Sequence, residues 1–96
     1  MAIEVIKTEE KYKRTDEVLD YDFIFTKFLS NGADSIASCT VTVPGGLSAG
    51  TKSNTTTVVK QFLSGGTNGG VYEVLCSITT SSGRTKKLKL ILYVID

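Results

Sequence analysis

Two runs of alternating apolar residues in the last third of the chain constrain its fold most. The apolar positions of the first run are Tyr72, Val74, Cys76 and Ile78, and those of the second are Leu88, Leu90, Leu92 and Val94. A period of two is typical of a β-strand with one face buried. Ser82 and Gly83 lie between the runs, and glycine tolerates the positive φ of a tight turn. The sequence therefore predicts two adjacent antiparallel strands whose shared buried face the rest of the chain must cover.

Strand-like segments also precede this pair. Val18–Phe28 alternates large apolar residues with carboxylates, and Ser35–Val43 places Ala37, Cys39, Val41 and Val43 on one face. Leu47–Ser53 is a weaker candidate for an edge strand, and Thr56–Leu63 is a stronger strand. With the final pair this gives about six or seven strands, spaced roughly 8–12 residues apart, which is typical of an all-β sandwich or barrel.

The same periodicity predicts the core and one further turn. We expect one core that contains Phe23, Phe25, Val41, Tyr72, Val74, Ile78, Leu90 and Leu92. Asn68 and Gly69 suit a type I′ hairpin turn, because both residues accept positive φ.

A chain of 96 residues is long enough for one domain. We assign residues 1–17 to a charged N-terminal arm and residues 18–96 to the sandwich. The arm is either solvated or becomes ordered on a partner.

Composition excludes several function classes. The chain has no histidine, the commonest general base and metal ligand near neutral pH, so we expect no enzyme, no metal and no cofactor. Its net charge of +1 gives no electrostatic reason to bind nucleic acid or a membrane. The N-terminus lacks an apolar signal sequence, so we expect no export.

Two charged clusters have ordinary explanations. The acidic group consists of Asp16, Glu17, Asp20 and Asp22, and it lacks the spacing of a calcium loop, so we interpret it as a solvated strand face. The basic group consists of Arg84, Lys86, Lys87 and Lys89. We interpret these cations as protection of a sheet edge rather than as a nucleic-acid site.

Three segments carry a resemblance to a known family. They are DEVLDY at 16–21, DSIAS at 34–38 followed by VTVP at 41–44, and LSGGT at 63–67 followed by ITTSSGRT at 78–85. In this order the chain resembles, from about Lys11 to Val94, the small fibre–tail adaptor proteins of tailed bacteriophages. It departs from them where Lys13, Arg14 and Thr15 replace a stretch that usually contains proline.

The resemblance implies a single immunoglobulin-like antiparallel β-sandwich with a non-enzymatic role in the virion. It implies an adaptor that joins fibre or baseplate and neck components to the tail, assembled in the host cytoplasm. Expected partners are other phage tail, fibre and neck proteins, and copies of the chain itself in a symmetric assembly. The alternatives are a capsid decoration protein and, less favoured, a carbohydrate-binding module.

The two cysteines leave two alternatives open. Cys39 and Cys76 both fall on the expected core face, which permits the bridge across the sandwich found in immunoglobulin domains. A reducing compartment instead favours two free, buried thiols, and we predict that they are unbridged.

The outer face of the last strand suggests where a partner binds. It carries Ile91, Tyr93 and Ile95, although a solvent-facing strand should be polar there. The N-terminal arm supplies Ile3, Val5 and Ile6, which either cover this face within the domain or join it in an interface. We hypothesise that these six residues dock on a neighbouring virion subunit, by strand addition or apolar packing.

Overall fold

The computed structural model describes residues 3–5 (Ile3 and Glu4 by their backbone alone), 8–29 and 34–96 of the chain. These residues form eight strands: β1 (Ile3–Val5), β2 (Glu9–Lys13), β3 (Leu19–Ile24), β4 (Ile36–Thr42), β5 (Leu47–Asn54), β6 (Val58–Gly65), β7 (Gly70–Thr80) and β8 (Thr85–Val94). Two four-stranded sheets pack as a sandwich, sheet A in the order β1-β3-β6-β5 and sheet B in the order β2-β8-β7-β4. The predicted all-β sandwich is confirmed, and six of the strands lie in residues 18–96. Within the described ranges there is no helix that could cross a membrane.

The strand pairing is antiparallel except at the N-terminus. β1 runs parallel to β3, and β2 runs parallel to β8. The strands within residues 18–96 pair antiparallel, as predicted, and both parallel pairs involve strands of the segment assigned to the arm. Parallel neighbours need a crossover connection between them, and for β2 and β8 almost the whole domain supplies it.

The arrangement of the other six strands is consistent with an immunoglobulin-like sandwich. β3, β6 and β5 form one sheet and β4, β7 and β8 the other, which matches the B-E-D and C-F-G groups of that fold. Tyr72 lies near the start of β7, and its hydroxyl accepts a hydrogen bond of 2.9 Å from the backbone N–H of Thr67. This contact resembles the tyrosine corner of immunoglobulin domains.

The core lies between the two sheets. Of the residues predicted for it, Phe23, Phe25, Val74, Ile78, Leu90 and Leu92 are buried, and Val41 and Tyr72 pack against it while partly exposed. Further core side chains are Val5, Tyr21, Leu29, Val59, Leu63 and Leu88.

The prediction of which residues of β4 face the core is wrong for the first two residues of the strand. Ile36 is buried and Ala37 is exposed, because the register with β7 shifts between Ile36 and Ser38. One extra residue at such a bulge changes the face on which the following side chains lie. Ile36 therefore shares the inner face with Cys39 and Val41.

The turn at Asn68 and Gly69 is not a hairpin. It joins β6 of sheet A to β7 of sheet B, and the Gly70 N–H donates to the Thr67 carbonyl at 2.8 Å. The turn at Ser82 and Gly83 does join two paired strands, as predicted, with φ of 91° at Gly83.

A candidate interaction surface on sheet B

One row of large side chains crosses the outer face of sheet B. The register places Tyr12 of β2 beside Tyr93 of β8, and Tyr93 beside Val71 of β7. Tyr12 is 65% exposed and Val71 56% exposed. We call these three residues the aromatic row. Ile91 of β8 and Ile95, which directly follows β8, adjoin it, and Ile95 is 49% exposed. The aromatic row and these two isoleucines together are called the sheet B face.

The two tyrosines of the row contact each other. Their rings stack with centroids 5.2 Å apart and 21° between their planes. The Tyr93 hydroxyl donates a hydrogen bond of 2.9 Å to the Glu10 carboxylate. That bond and the neighbouring negative charge raise the pKa of Tyr93, because a phenolate would lose the bond and face the carboxylate. The bond holds the Tyr93 ring in place beside Tyr12.

Carboxylates border the sheet B face. In the row next to the aromatic row, Ile91 lies between Glu10 and Glu73. Glu73 forms an exposed ion pair of 3.5 Å with Lys89. On the other side, Tyr12 and Ile95 line a shallow groove of about 480 Å³ whose other walls are Lys13, Arg14, Glu17 and Asp96.

The structure brings together only part of the predicted interface. Ile91, Tyr93 and Ile95 lie on one surface. Val5 is fully buried in the core on β1. The side chain of Ile3, and Ile6 as a whole, lie outside the described residues. Within the described residues, the segment predicted as an arm adds an edge strand to each sheet, β1 beside β3 and β2 beside β8. Because β2 lies beside β8 in the same sheet, β2 does not cover the outer face of β8.

Comparison with known proteins decides the family. A family model described as "Podophage GP4 fiber-tail adaptor protein gp77" matches residues 13–93, which is most of the chain. The chain belongs to this family of phage fibre–tail adaptors. This family match confirms the resemblance noted from the sequence. The comparison with curated proteins gives no significant match.

Two members of the adaptor's sheet B face, Tyr12 and Val71, are missing from the sequence prediction. Val71 could have been found, because it precedes the alternating run of β7 by one position and must lie on the outer face. Tyr12 has no such signal. Only the pairing of β2 with β8 places it beside Tyr93.

A buried lysine positions β2 in the adaptor. Lys13 is 1% exposed, and its ammonium donates to the carbonyls of Arg14 and Gly65, each at 2.6 Å. Gly65 ends β6 of sheet A, so this side chain links the two sheets. A buried charge is tolerated only when it is hydrogen-bonded, and the two carbonyls meet part of that need. The link holds β2, and with it Tyr12, against the sandwich.

The predicted acidic and basic clusters form local ion pairs. Lys60 lies between Asp20 and Asp22 at 3.0 and 3.1 Å. The hydrogen bond from Lys60 lowers the pKa of Asp20. In the parts of the chain that the structure describes, no group of three or more cysteines or carboxylates is arranged to hold a metal.

Asp34, which precedes β4, bonds to residues of the β7–β8 turn at the end of the sandwich opposite to Lys13. Its carboxylate accepts hydrogen bonds from the Ser82 hydroxyl at 2.6 Å and from Arg84 at 3.0 Å, and these contacts hold its pKa well below the usual range. The Arg84 guanidinium also lies 4.5 Å from the centre of the Phe28 ring. Lys86, Lys87 and Lys89 follow on the part of β8 that precedes its pairing with β2, which agrees with the interpretation as edge protection.

Both cysteines are free, as predicted. They lie on adjacent strands of the same sheet, where Cys39 pairs with Ile78 and Cys76 pairs with Val41. The two thiols are therefore diagonal neighbours within sheet B, and the bridge across the sandwich is excluded as an alternative. Burial raises the pKa of the Cys76 thiol to about 12, which makes it unreactive at neutral pH.

Proposed function

We propose that the protein is a structural subunit of a phage virion that joins fibre, baseplate or neck components to the tail through its sheet B face. Membership of the fibre–tail adaptor family supports a role in the tail. The sheet B face supports the choice of surface, because its side chains are large, partly apolar and adjacent. Exposed apolar surface of this kind marks interaction sites.

The chemistry of the surface suits binding rather than catalysis. Tyrosine is enriched in interfaces because its ring offers a large contact area and its hydroxyl keeps a polar partner. The carboxylates Asp20, Asp22 and Asp34 hold cations of the same chain, in ion pairs of 3.0–3.1 Å. This arrangement and the family support a non-enzymatic role.

Symmetric repetition makes a small contact area sufficient. A tail is built from repeated subunits, and several copies of this chain around it would bind with an effective affinity far above that of one contact. The proposed partners are therefore tail and fibre proteins, together with neighbouring copies of the chain. Assembly would take place in the host cytoplasm, before the virion is released.

Deletion of the gene tests the role. Particles made without the protein should keep the components on one side of the joint and lose those on the other, so that heads and tails form without fibres. Cryo-electron microscopy of wild-type particles should then place copies of the domain between the tail and the missing component. Copies on the capsid surface would instead indicate the decoration role, and unchanged particle composition would refute the adaptor role.

A further inference from the structure

We propose that the sheet B face binds a partner segment in which an arginine is flanked by apolar side chains. This inference rests on the proposed function and adds the chemistry of the partner. It follows from the charged side chains around the aromatic row and from the polar side chains on the rest of the outer surface of sheet B.

The aromatic row offers stacking surface beside carboxylates. Tyr12 is 65% exposed although its ring stacks on Tyr93. Glu10 and Glu73 stand on either side of Ile91 in the next row. A guanidinium group is planar, stacks on aromatic rings and donates two parallel hydrogen bonds to a carboxylate. Arginine therefore matches both features of this surface at once.

Glu73 is the carboxylate that is best placed to accept such a partner. Its side chain is 65% exposed, and its ion pair with Lys89, which is 43% exposed, has a length of 3.5 Å. An exposed pair of this kind contributes little free energy, so exchanging Lys89 for a partner cation costs little. One oxygen of Glu10 already accepts a hydrogen bond from the Tyr93 hydroxyl. The role of Glu10 is therefore to fix the tyrosine ring and to add negative charge.

The rest of the outer surface of sheet B argues against a second copy of the chain as the binding partner. Beyond a row formed by Lys89, Leu75 and Thr42, the outer residues of sheet B are hydroxyl-bearing or basic, with Lys87, Ser77 and Thr40 in the next row. A second copy packed face to face could bring Lys87 and Lys89 near Glu10 and Glu73 only if its strands ran antiparallel to those of the first copy. The aromatic row of each copy would then lie against this polar row and lose its apolar contact. A different protein that presents apolar residues beside a cation satisfies both requirements.

Binding to particles that lack the protein tests the inference. Purified wild-type chain is added to particles from the gene-deletion phage, and bound copies are counted by quantitative mass spectrometry at increasing sodium chloride. Wild type should bind, and its affinity should fall with salt because the pair is partly exposed. Glu73→Lys should bind about tenfold or more weakly, which corresponds to a loss of about 1.4 kcal/mol. Glu73→Gln should show an intermediate loss and a smaller salt dependence.

Two controls separate the possible outcomes. Lys87→Glu, in the polar row on the outer surface of sheet B, should bind like wild type. Treatment of the depleted particles with phenylglyoxal, which modifies arginine, should abolish binding, whereas acetylation of their lysines should not. Unchanged binding by folded Glu73→Lys and Glu73→Gln would overturn the inference. Weak binding by Lys87→Glu that Glu73→Lys restores would overturn it in favour of a second copy. Failure of the wild type to bind at all would refute the proposed function itself.

Discussion

The ring of Tyr12 stacks on the ring of Tyr93 although 80 residues separate them in the chain, with 5.2 Å between their centroids. The contact joins the second strand to the last one at the edge of sheet B. It brings the segment that looked like a loose arm into the domain. It also completes an exposed row whose other members, Val71 and Tyr93, lie on β7 and β8.

Replacing Tyr12 should separate the two roles of this contact. Tyr12→Ala removes an exposed stack, so we expect the free energy of unfolding to fall by only about 1 kcal/mol. Incorporation into particles should be lost, because the row loses its most exposed ring. Chemical denaturation measures the first effect and quantitative mass spectrometry of purified particles the second. The control is Thr40→Ala, in the polar row on the outer surface of sheet B, which should change neither the free energy of unfolding nor incorporation. Normal incorporation of Tyr12→Ala would place the docking surface elsewhere.

Point substitutions are the appropriate probe of this surface. Removing the N-terminal segment would also remove Val5, which is fully buried, and Lys13, which bonds to β6. A truncated chain that fails to assemble would therefore report unfolding as readily as loss of an interface.

Tyr21 and Tyr72 should respond in opposite ways to loss of their hydroxyl. Tyr21 is fully buried, and its hydroxyl has no hydrogen-bond partner in the described part of the chain, whereas the Tyr72 hydroxyl accepts from Thr67. A buried polar group without a partner costs free energy. Tyr21→Phe should therefore raise the free energy of unfolding by about 1 kcal/mol, and Tyr72→Phe should lower it by a similar amount. Urea denaturation of the two variants and the wild type decides this, and a destabilised Tyr21→Phe would show that the hydroxyl is satisfied.

The same hydroxyl predicts how stability changes at high pH. Burial raises the pKa of Tyr21 to about 12 in the folded state, against about 10 in an unfolded chain. The raised value stabilises the folded state below pH 10, and this contribution is lost as the pH rises through the folded pKa. The free energy of unfolding should then fall by up to about 1.4 kcal/mol per pH unit for this group. Tyr21→Phe should reduce the slope between pH 10 and 12. Some slope will remain, because burial raises the pKa of Cys76 as well. An unchanged slope would mean that Tyr21 does not contribute.

Thiol labelling should distinguish the two cysteines. Cys39 is partly exposed and Cys76 is buried with a raised pKa. Iodoacetamide should therefore modify the folded protein once, at Cys39, and the unfolded protein twice, without any reductant. Intact-mass measurement reads the number of labels and peptide mapping the position. An unfolded chain that takes up no label would show that the thiols are bridged.

The strands that the sequence predicts well are those whose alternation is uninterrupted. In β7 and β8 each inner residue is apolar over four successive pairs, so both the strand and its buried face follow from the pattern. In β4 an extra residue shifts the face after Ile36, and a bulge of this kind has no signal in a single sequence. β2 has one apolar residue among charged neighbours, Tyr12, and its strand depends on pairing with β8, which lies far away along the chain.

The site follows the same rule. Ile91, Tyr93 and Ile95 are recognisable in the sequence as candidates because they interrupt the expected polar face of a well-defined strand. Which residues lie beside them on the neighbouring strands depends on the register of the strand pairing. Alternation of apolar residues identifies a buried face but does not fix that register when a strand could pair in either direction. The immunoglobulin comparison likewise misplaced the cysteines, since Cys39 lies on β4 in the same sheet as Cys76.

Two glycines near the β6–β7 connection should differ sharply in their tolerance of a side chain. Gly66 has φ of 96°, and a Cβ atom there would lie 2.7 Å from Cγ2 of Val94. Gly69 has φ of 88°, and a Cβ atom there would meet nothing within 4 Å. Gly69→Ala should therefore cost only the left-handed backbone, about 1–2 kcal/mol. Gly66→Ala should cost that amount plus about 1–3 kcal/mol for overpacking against a buried strand.

A double variant tests whether the contact with Val94 is the cause. Val94→Ala removes the clashing methyl group, so the combined cost of Gly66→Ala and Val94→Ala should be less than the sum of the two single costs, by about 1 kcal/mol or more. Gly69→Ala combined with Val94→Ala should be additive. Thermal and urea denaturation of the five variants supply all the values. Equal costs for Gly66→Ala and Gly69→Ala, with additivity in both pairs, would show that the connection moves away from β8 when a side chain is added.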